Sequence, residues 1–226
     1  MYTYTVTATG QILRSDGAFI PTDPLNTDYA AYLAWVAAGN TATYPAAPTL
    51  LDAQLAQIAT ISAACAAAIL AGFSSSALGA PYTYPAKTTD QMNLASSVLD
   101  ALLATQDAVP WAALTPYVVG SLTPANSQVY TSTAVGTSGT TVPAWPNAIN
   151  TQVLDGGAQW EIWTTPFWCE DANGNWAWVD HTCSQIKQVG RDAKADVLAK
   201  MAQNAALAAQ VMAVTDPAEV TSVNWS

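Results

Sequence analysis

A chain of 226 residues is long enough for one or two domains with a real core. Only 10% of its residues are charged, against roughly 25% in an ordinary soluble domain, so its surface must be largely Thr, Ser, Asn, Gln and Ala. Six basic residues stand against sixteen acidic ones; the one basic cluster, Lys187, Arg191, Lys194 and Lys200, is interleaved with Asp192 and Asp196 and reads as a solvated helix face, which argues against a phosphate-neutralising nucleic-acid surface.

The chain begins without the basic start and apolar run of a signal peptide. Tyr2, Tyr4 and Val6 alternate with threonines, which predicts a strand with an exposed edge. Gly10 turns the chain, and Ile12 and Leu13 return it. The run FIPTDPLN reads as a loop because Pro21 and Pro24 oppose regular structure. Asn26 or Thr27 then caps a helix to Ala38, with Tyr29, Leu33 and Val36 on one face, and Gly39-Asn40 ends it. The next helix is expected over 49–71, started by Thr49 with Asp52 and striped by Leu51, Leu55, Ile58, Ile61 or Ser62, Cys65 and Ile69. Its sequence is mostly alanine, broken by Gln54, Gln57, Thr60 and Ser62. It therefore reads as a buried helix, whereas a membrane span wants about 20 strongly apolar residues.

After the loop SSSALGAPYTYPAK, Thr88 and Gln91 form the capping box of a helix over 88–105, carrying Leu94, Val98 and Leu102. Residues 111–160 contain no Lys, Arg or His. Short runs such as YVVGSL and QVYTSTAV, separated by turn residues, predict a small all-β module at 110–162 that the rest of the fold can do without. Then FWCEDA and NWAWVD flank Asn173-Gly174, a strong hairpin signal. A two-residue turn pairs Ala172 with Asn175 and sets Cys169 opposite Trp178, so that Phe167, Cys169, Trp176 and Trp178 share the core face. Thr182 and Gln185 cap a long helix over 184–213. Its stripe runs Ile186, Val189, Ala193, Val197, Met201, Ala205, Ala208 and Met212, and beside it Ala202, Ala206 and Ala209 offer close approach to another helix. Asp216-Pro217 ends the helix, and VTSVNW reads as a last short strand. The fold expected is α+β: a helical frame of about three main helices, residues 1–109 and 163–226, with a Trp-rich hairpin and the inserted β module at 110–162.

Few residues suggest chemistry. His181 is the sole histidine, and a zinc site would need about four ligands, for which Cys169, Asp171, His181 and Cys183 can be nominated. Strand geometry sets Cys169 and Asp171 at different heights, so His181-Thr182 reads as a helix start whose polar atoms bond the local backbone. Three cysteines, an odd count, argue against a disulfide framework; Cys65 reads as a small core residue, and a Cys169–Cys183 bond stays open. GTSG lacks the spacing of a nucleophile elbow, no glycine loop suits a phosphate, and Glu170 and Asp171 sit on opposite strand faces. No catalytic residue, metal or cofactor is expected, and the chain reads as a non-enzyme. The aromatic residues of the module, Trp111, Tyr117, Tyr130, Trp145 and Trp160, are the stronger candidates. Most should be core, but Trp145, between Pro143 and Pro146, is the first choice for a sugar platform, followed by Trp111, Tyr117 and Tyr130.

Three stretches resemble an uncharacterised family of phage tail and tail-fibre-associated proteins: GAFIPTDPLNTDYAAYLAWVAAGN; ISAACAAAILAGFSSSALG with YTYPAKTTDQMNL; and FWCEDANGNWAWVDHTCSQIKQVG. Within the module, WAALTPYVVGSL, VYTSTAVGTSGTTVPAWP and VLDGGAQW are similar to a small β module repeated in phage tail fibres, and to small carbohydrate-binding domains of secreted glycosidases. The chain departs from that pattern at Leu154, Gly157 and Ala158, where the module reads closer to V-x-D-G-T. The resemblance implies a virion protein of the tail or fibre, made in the host cytoplasm. It implies docking to other tail subunits; the low charge and the face of Ala202, Ala206 and Ala209 point to homo-oligomerisation, the module's aromatic residues to contact with a host-surface glycan, and the composition to neither nucleic-acid binding nor membrane insertion. A non-virion tail-fibre assembly chaperone is the alternative.

Overall fold

The computed structural model describes residues 2–7, 9–44 and 49–225. The protein is mixed α+β, with four α-helices and several small antiparallel sheets among the described residues. It divides into two compact units, Met1–Leu55 and Ala56–Ser226.

In the first unit, β1 (Tyr4–Val6), β2 (Ile12–Arg14) and β3 (Phe19–Ile20) form an antiparallel meander, followed by α1 (Thr27–Ala37). Phe19 and Ile20 are thus strand, not loop; the prolines act only from Pro21 onward. Asn26 caps α1, its Oδ1 accepting from the backbone N–H groups of Asp28 (2.9 Å) and Tyr29 (3.1 Å). The face that packs is Tyr29, Tyr32 and Trp35, set against Tyr4, Ile12, Ile20 and Ala42. Leu33 and Val36, expected on that face, point outward, because the three aromatic rings offer more apolar area to the sheet. The outer edge of β1 is occupied: Val6 N–H donates to the Thr43 carbonyl, and Thr43 N–H to that of Tyr4. This closes, at these residues, the edge that the sequence had left open.

α2 (Leu50–Leu70) begins as expected, with Thr49 and Asp52 bonding each other's backbone N–H. It is not a buried helix. Gln54, Gln57, Ile61 and Cys65 form a narrow buried stripe, while Leu51, Leu55 and Leu70 are exposed. By length and composition it is the one helix, among the described residues, that could cross a membrane. From Ala56 on it runs antiparallel to α4 (Cys183–Ala213): the Cys65 thiol donates to the Lys200 carbonyl at 3.5 Å, and Lys200 Nζ donates to the carbonyls of Ala68 and Gly72.

The segment expected as loop after α2 contains β4 (Phe73–Ser75) and β5 (Tyr82–Tyr84). They join β12 (Thr164–Glu170) and β13 (Trp176–Thr182) in a sheet of order β13-β12-β5-β4. That sheet packs on α3 (Thr88–Asp107) and α4 around Phe73, Tyr84, Leu94, Phe167, Ile186 and Val189. A Cβ on Gly190 would come within 2.8 Å of Val98 Cγ2, which marks the close approach of α4 to α3. The cap of α3 is one residue earlier than predicted: Lys87 N–H donates to Asp90 Oδ2, and Gln91 Nε2 reaches the Ala86 carbonyl instead. The Thr182–Gln185 capping box of α4 is present as expected.

The α4 stripe holds through Ile186, Val189 and, half-buried, Ala193 and Val197, and then fails, since Met201, Ala205 and Met212 are exposed while Val211 is buried. Steps of four residues advance about 40° beyond a full turn each, so a stripe counted by fours walks off its face within a few turns. Ala202, Ala206 and Ala209 are exposed. VTSVNW forms a 3-10 turn at Val220–Ser222 rather than a strand, with Val220 buried.

Residues 116–162 supply β6 (Pro116–Tyr117), β7 (Leu122–Ala125), β8 (Gln128–Ala134), β9 (Gly136–Thr137), β10 (Val153–Asp155) and β11 (Ala158–Ile162). Four of these make a sheet of order β10-β11-β8-β7, and β6 pairs with β9. Tyr130, Trp160 and Ile162 on one side of the sheet pack with Tyr117 of β6. Val129, next to Tyr130, joins the cluster of Phe167 and Ile186 instead, with Leu122 packed against it.

Candidate functional site

The four nominated sugar-contact residues lie in or against the core of the β module. Tyr130 is fully buried, and its hydroxyl donates to the Pro146 carbonyl at 2.8 Å. Tyr117 is buried; its hydroxyl accepts from Ala112 N–H at 2.9 Å. Trp145 is half-buried, with its ring 4.6 Å from Tyr130 and 5.7 Å from Trp160 between centroids. Half-buried Trp111 donates its indole N–H to Asp155 Oδ2 at 2.7 Å. The buried Asp155 carboxylate also takes the indole N–H of Trp160 at 3.0 Å and the backbone N–H of Gly139 at 2.8 Å. A buried carboxylate holding three donors organises the module.

The zinc nominees are dispersed into structural roles. His181 is buried, with Nδ1 2.7 Å from the Val179 carbonyl and Nε2 2.8 Å from the Tyr84 hydroxyl. A carbonyl can only accept, so Nδ1 carries the proton and Nε2 accepts from Tyr84. Burial lowers the His181 pKa, raises that of the Cys169 thiol and pushes the Tyr84 phenol far up. Asp171 accepts from the backbone N–H groups of Asn173 and Asn175, which hold its carboxyl below the usual range, Asn175 contributing most. Cys65, Cys169 and Cys183 are free and buried. Among the described residues no group of three or more His, Cys, Asp or Glu side chains is placed to hold a metal.

Two surface features remain. The first is an apolar groove of about 570 Å³ between α3 and α4, floored by Leu94, Val98, Ala193 and Val197 and lined at its edge by Lys187, Arg191 and Lys194 and by Asp196, whose charge is taken by Lys200. The ion pairs among the described residues are Arg14 with Asp16 and Asp28, and Lys200 with Asp196. None neutralises the rim. Among the described residues Lys187 reaches the Thr105 hydroxyl, and Arg191 the Gln188 amide oxygen. The cluster read as a solvated helix face therefore borders an apolar trough.

The second is the outer face of the β12–β13 hairpin. Its loop is three residues long, closed by Asp171 N–H to the Asn175 carbonyl (3.0 Å) and Gly174 N–H to the Asp171 carbonyl (3.1 Å), with Gly174 at φ +82°. The register is shifted by one from the two-residue expectation: Cys169 faces Ala177, Trp168 faces Trp178 and Glu170 faces Trp176. A one-residue slip exchanges the faces of a strand. Phe167 and Cys169 thus stay inward with Val179 and His181, while Trp168, Trp176 and Trp178 turn outward, 37%, 39% and 63% exposed. Trp168 lies near-parallel to Trp176, 6.2 Å away between centroids, and 5.6 Å from Trp178. The outward placement escaped sequence reasoning, although one signal was present: Asp at the first and Gly at the fourth position of D-A-N-G mark a type I turn.

Compared with protein-family models, with curated proteins and with solved structures, the chain matches none.

Proposed function

We propose that this chain is a structural, non-enzymatic subunit of a bacteriophage tail or tail-fibre apparatus, made in the host cytoplasm, that docks to other tail proteins as an oligomeric part and contacts a host-surface glycan. The sequence resemblance supplies the assembly. The observation that carries docking is the apolar groove between α3 and α4, whose three rim cations have no carboxylate partner among the described residues, in a chain of net charge −10. It suits an amphipathic segment with acidic residues beside its apolar stripe, from a neighbouring subunit. Met92, Leu99, Leu102, Leu103, Leu198 and Met201, exposed on the same two helices, extend the apolar surface a partner would cover.

A tail-fibre assembly chaperone outside the virion is the second reading, because the groove is equally suited to a transient client. Quantitative mass spectrometry of purified particles separates the two. A virion subunit is present at fixed copy number. A chain abundant in infected cells and missing from particles overturns the subunit reading in favour of the chaperone.

A further inference from the structure

We propose that the outward face of the β12–β13 hairpin is a binding site for a neutral saccharide, gripped by Trp168, Trp176 and Trp178. Three indoles on one sheet face leave a large apolar area in water, whereas Phe167, Cys169 and His181 on the opposite face of the same strands are buried in the core. Indole faces stack on the C–H faces of sugar rings, and the polar N–H remains free to bond a hydroxyl. The ground beside the rings is cleft, not flat. A hollow of about 310 Å³ lies between Trp168, Trp178, Pro85, Asp90 and Asn93. A second, of about 420 Å³, lies between Trp168, Trp176, Pro85, Leu70 and Lys87. Trp168 and Pro85 border both, so the two form a trough with Trp168 at its middle, each of a size that holds a small ligand.

The polar groups at the trough suit hydroxyls. Asp90 can only accept, Lys87 can only donate and Asn93 can do both. Asp90 Oδ2 already accepts from Lys87 N–H, which fixes the carboxylate and leaves Oδ1 to the ligand. Lys87 offsets Asp90, and Glu170 and Asp180, which share the strand face of the three indoles, add negative charge, so this surface selects neither a phosphorylated nor a strongly acidic partner, in contrast to the cationic rim of the groove. Because the hairpin is pinned from behind by Phe167 and Cys169, little ordering is needed on binding.

The site names the ligand class and the residues for the attachment role proposed above, and to that extent rests on that reading. Binding is measured on the isolated protein, so its failure is distinct from absence from particles. The experiment is a titration of the full chain with neutral tetrasaccharides of glucose, galactose and N-acetylglucosamine, read by tryptophan fluorescence and calorimetry. We expect saturable binding of at least one, weakened about tenfold or more by Trp168→Ala and by Trp178→Ala. Trp178→Tyr should retain part of the affinity. Far-UV circular dichroism checks that each variant is folded, and exposed Trp178 is the position least able to disturb the core. Absence of saturable binding across the panel overturns the proposal, as does binding indifferent to Trp178→Ala. A wild-type dimer that Trp178→Ala converts to monomer also overturns it and assigns the face to contact between copies.

Discussion

The indole N–H of Trp160 and the carboxylate of Asp155, five residues apart across the β10–β11 turn, are joined inside the module by a hydrogen bond of 3.0 Å. Removing the carboxylate leaves a fully buried indole donor without its partner and also strands Trp111 and Gly139 N–H. Asp155→Ala is expected to cost about 3 kcal/mol or more. Thermal unfolding monitored by near-ultraviolet circular dichroism checks this; a loss under about 1 kcal/mol would show that the donors find other acceptors.

His181 links stability to pH. Its folded pKa lies below the ordinary 6.5, so on acidification the unfolded chain takes up a proton before the folded one does. Stability is therefore undiminished above 6.5 and falls below it, by at most about 1.4 kcal/mol per pH unit, until the folded pKa is reached. Asp16, Asp52 and Asp171, all with lowered pKa values, add their losses only in the more acidic carboxylate range. Urea unfolding at pH 7.0 and 5.5 should show the drop in wild type and much less of it in His181→Gln. An equal drop in both would remove His181 as its source.

The hairpin register is open to a chemical test. Directly opposed strand residues have Cα atoms about 4.5–5.5 Å apart, within the span of a disulfide. Ala177→Cys should therefore oxidise readily to a bridge with Cys169, and Trp178→Cys should not. Peptide mapping of the oxidised proteins decides. A bridge from position 178 would restore the two-residue turn and return Trp176 and Trp178 to the core face.

The groove cations concern docking, not folding. Arg191 and Lys194 are exposed, and neither forms one of the ion pairs among the described residues. The double variant Arg191→Glu with Lys194→Glu should melt within about 2 °C of wild type. In particles grown with this variant the copy number of the chain should fall several-fold. Unchanged incorporation would separate the groove from tail assembly.

The three long helices could be read from sequence because each begins with local chemistry that needs no tertiary partner, as Thr182 with Gln185 shows. The hairpin was equally visible as a hairpin, but its register was not. Asn173-Gly174 fits a two-residue loop and a three-residue loop alike, and the choice between them moves Trp176 and Trp178 from the core to the surface. β4 and β5 were hidden for another reason. Three-residue strands carry almost no periodic signal, and Phe73 and Tyr84 become strand through the sheet they join. In the module, composition identified the aromatic residues but not which of them would be enclosed.

Strand β8 gives its side chains alternately to two different cores, Val129 to the cluster of Phe167 and Ile186, and Tyr130 to that of Trp160. Heat or mechanical load that opens one cluster pulls a wall out of the other. Residues 56–225 should accordingly melt as one cooperative block, with the slowest-exchanging amides of the β module and of α4 opening together rather than in sequence.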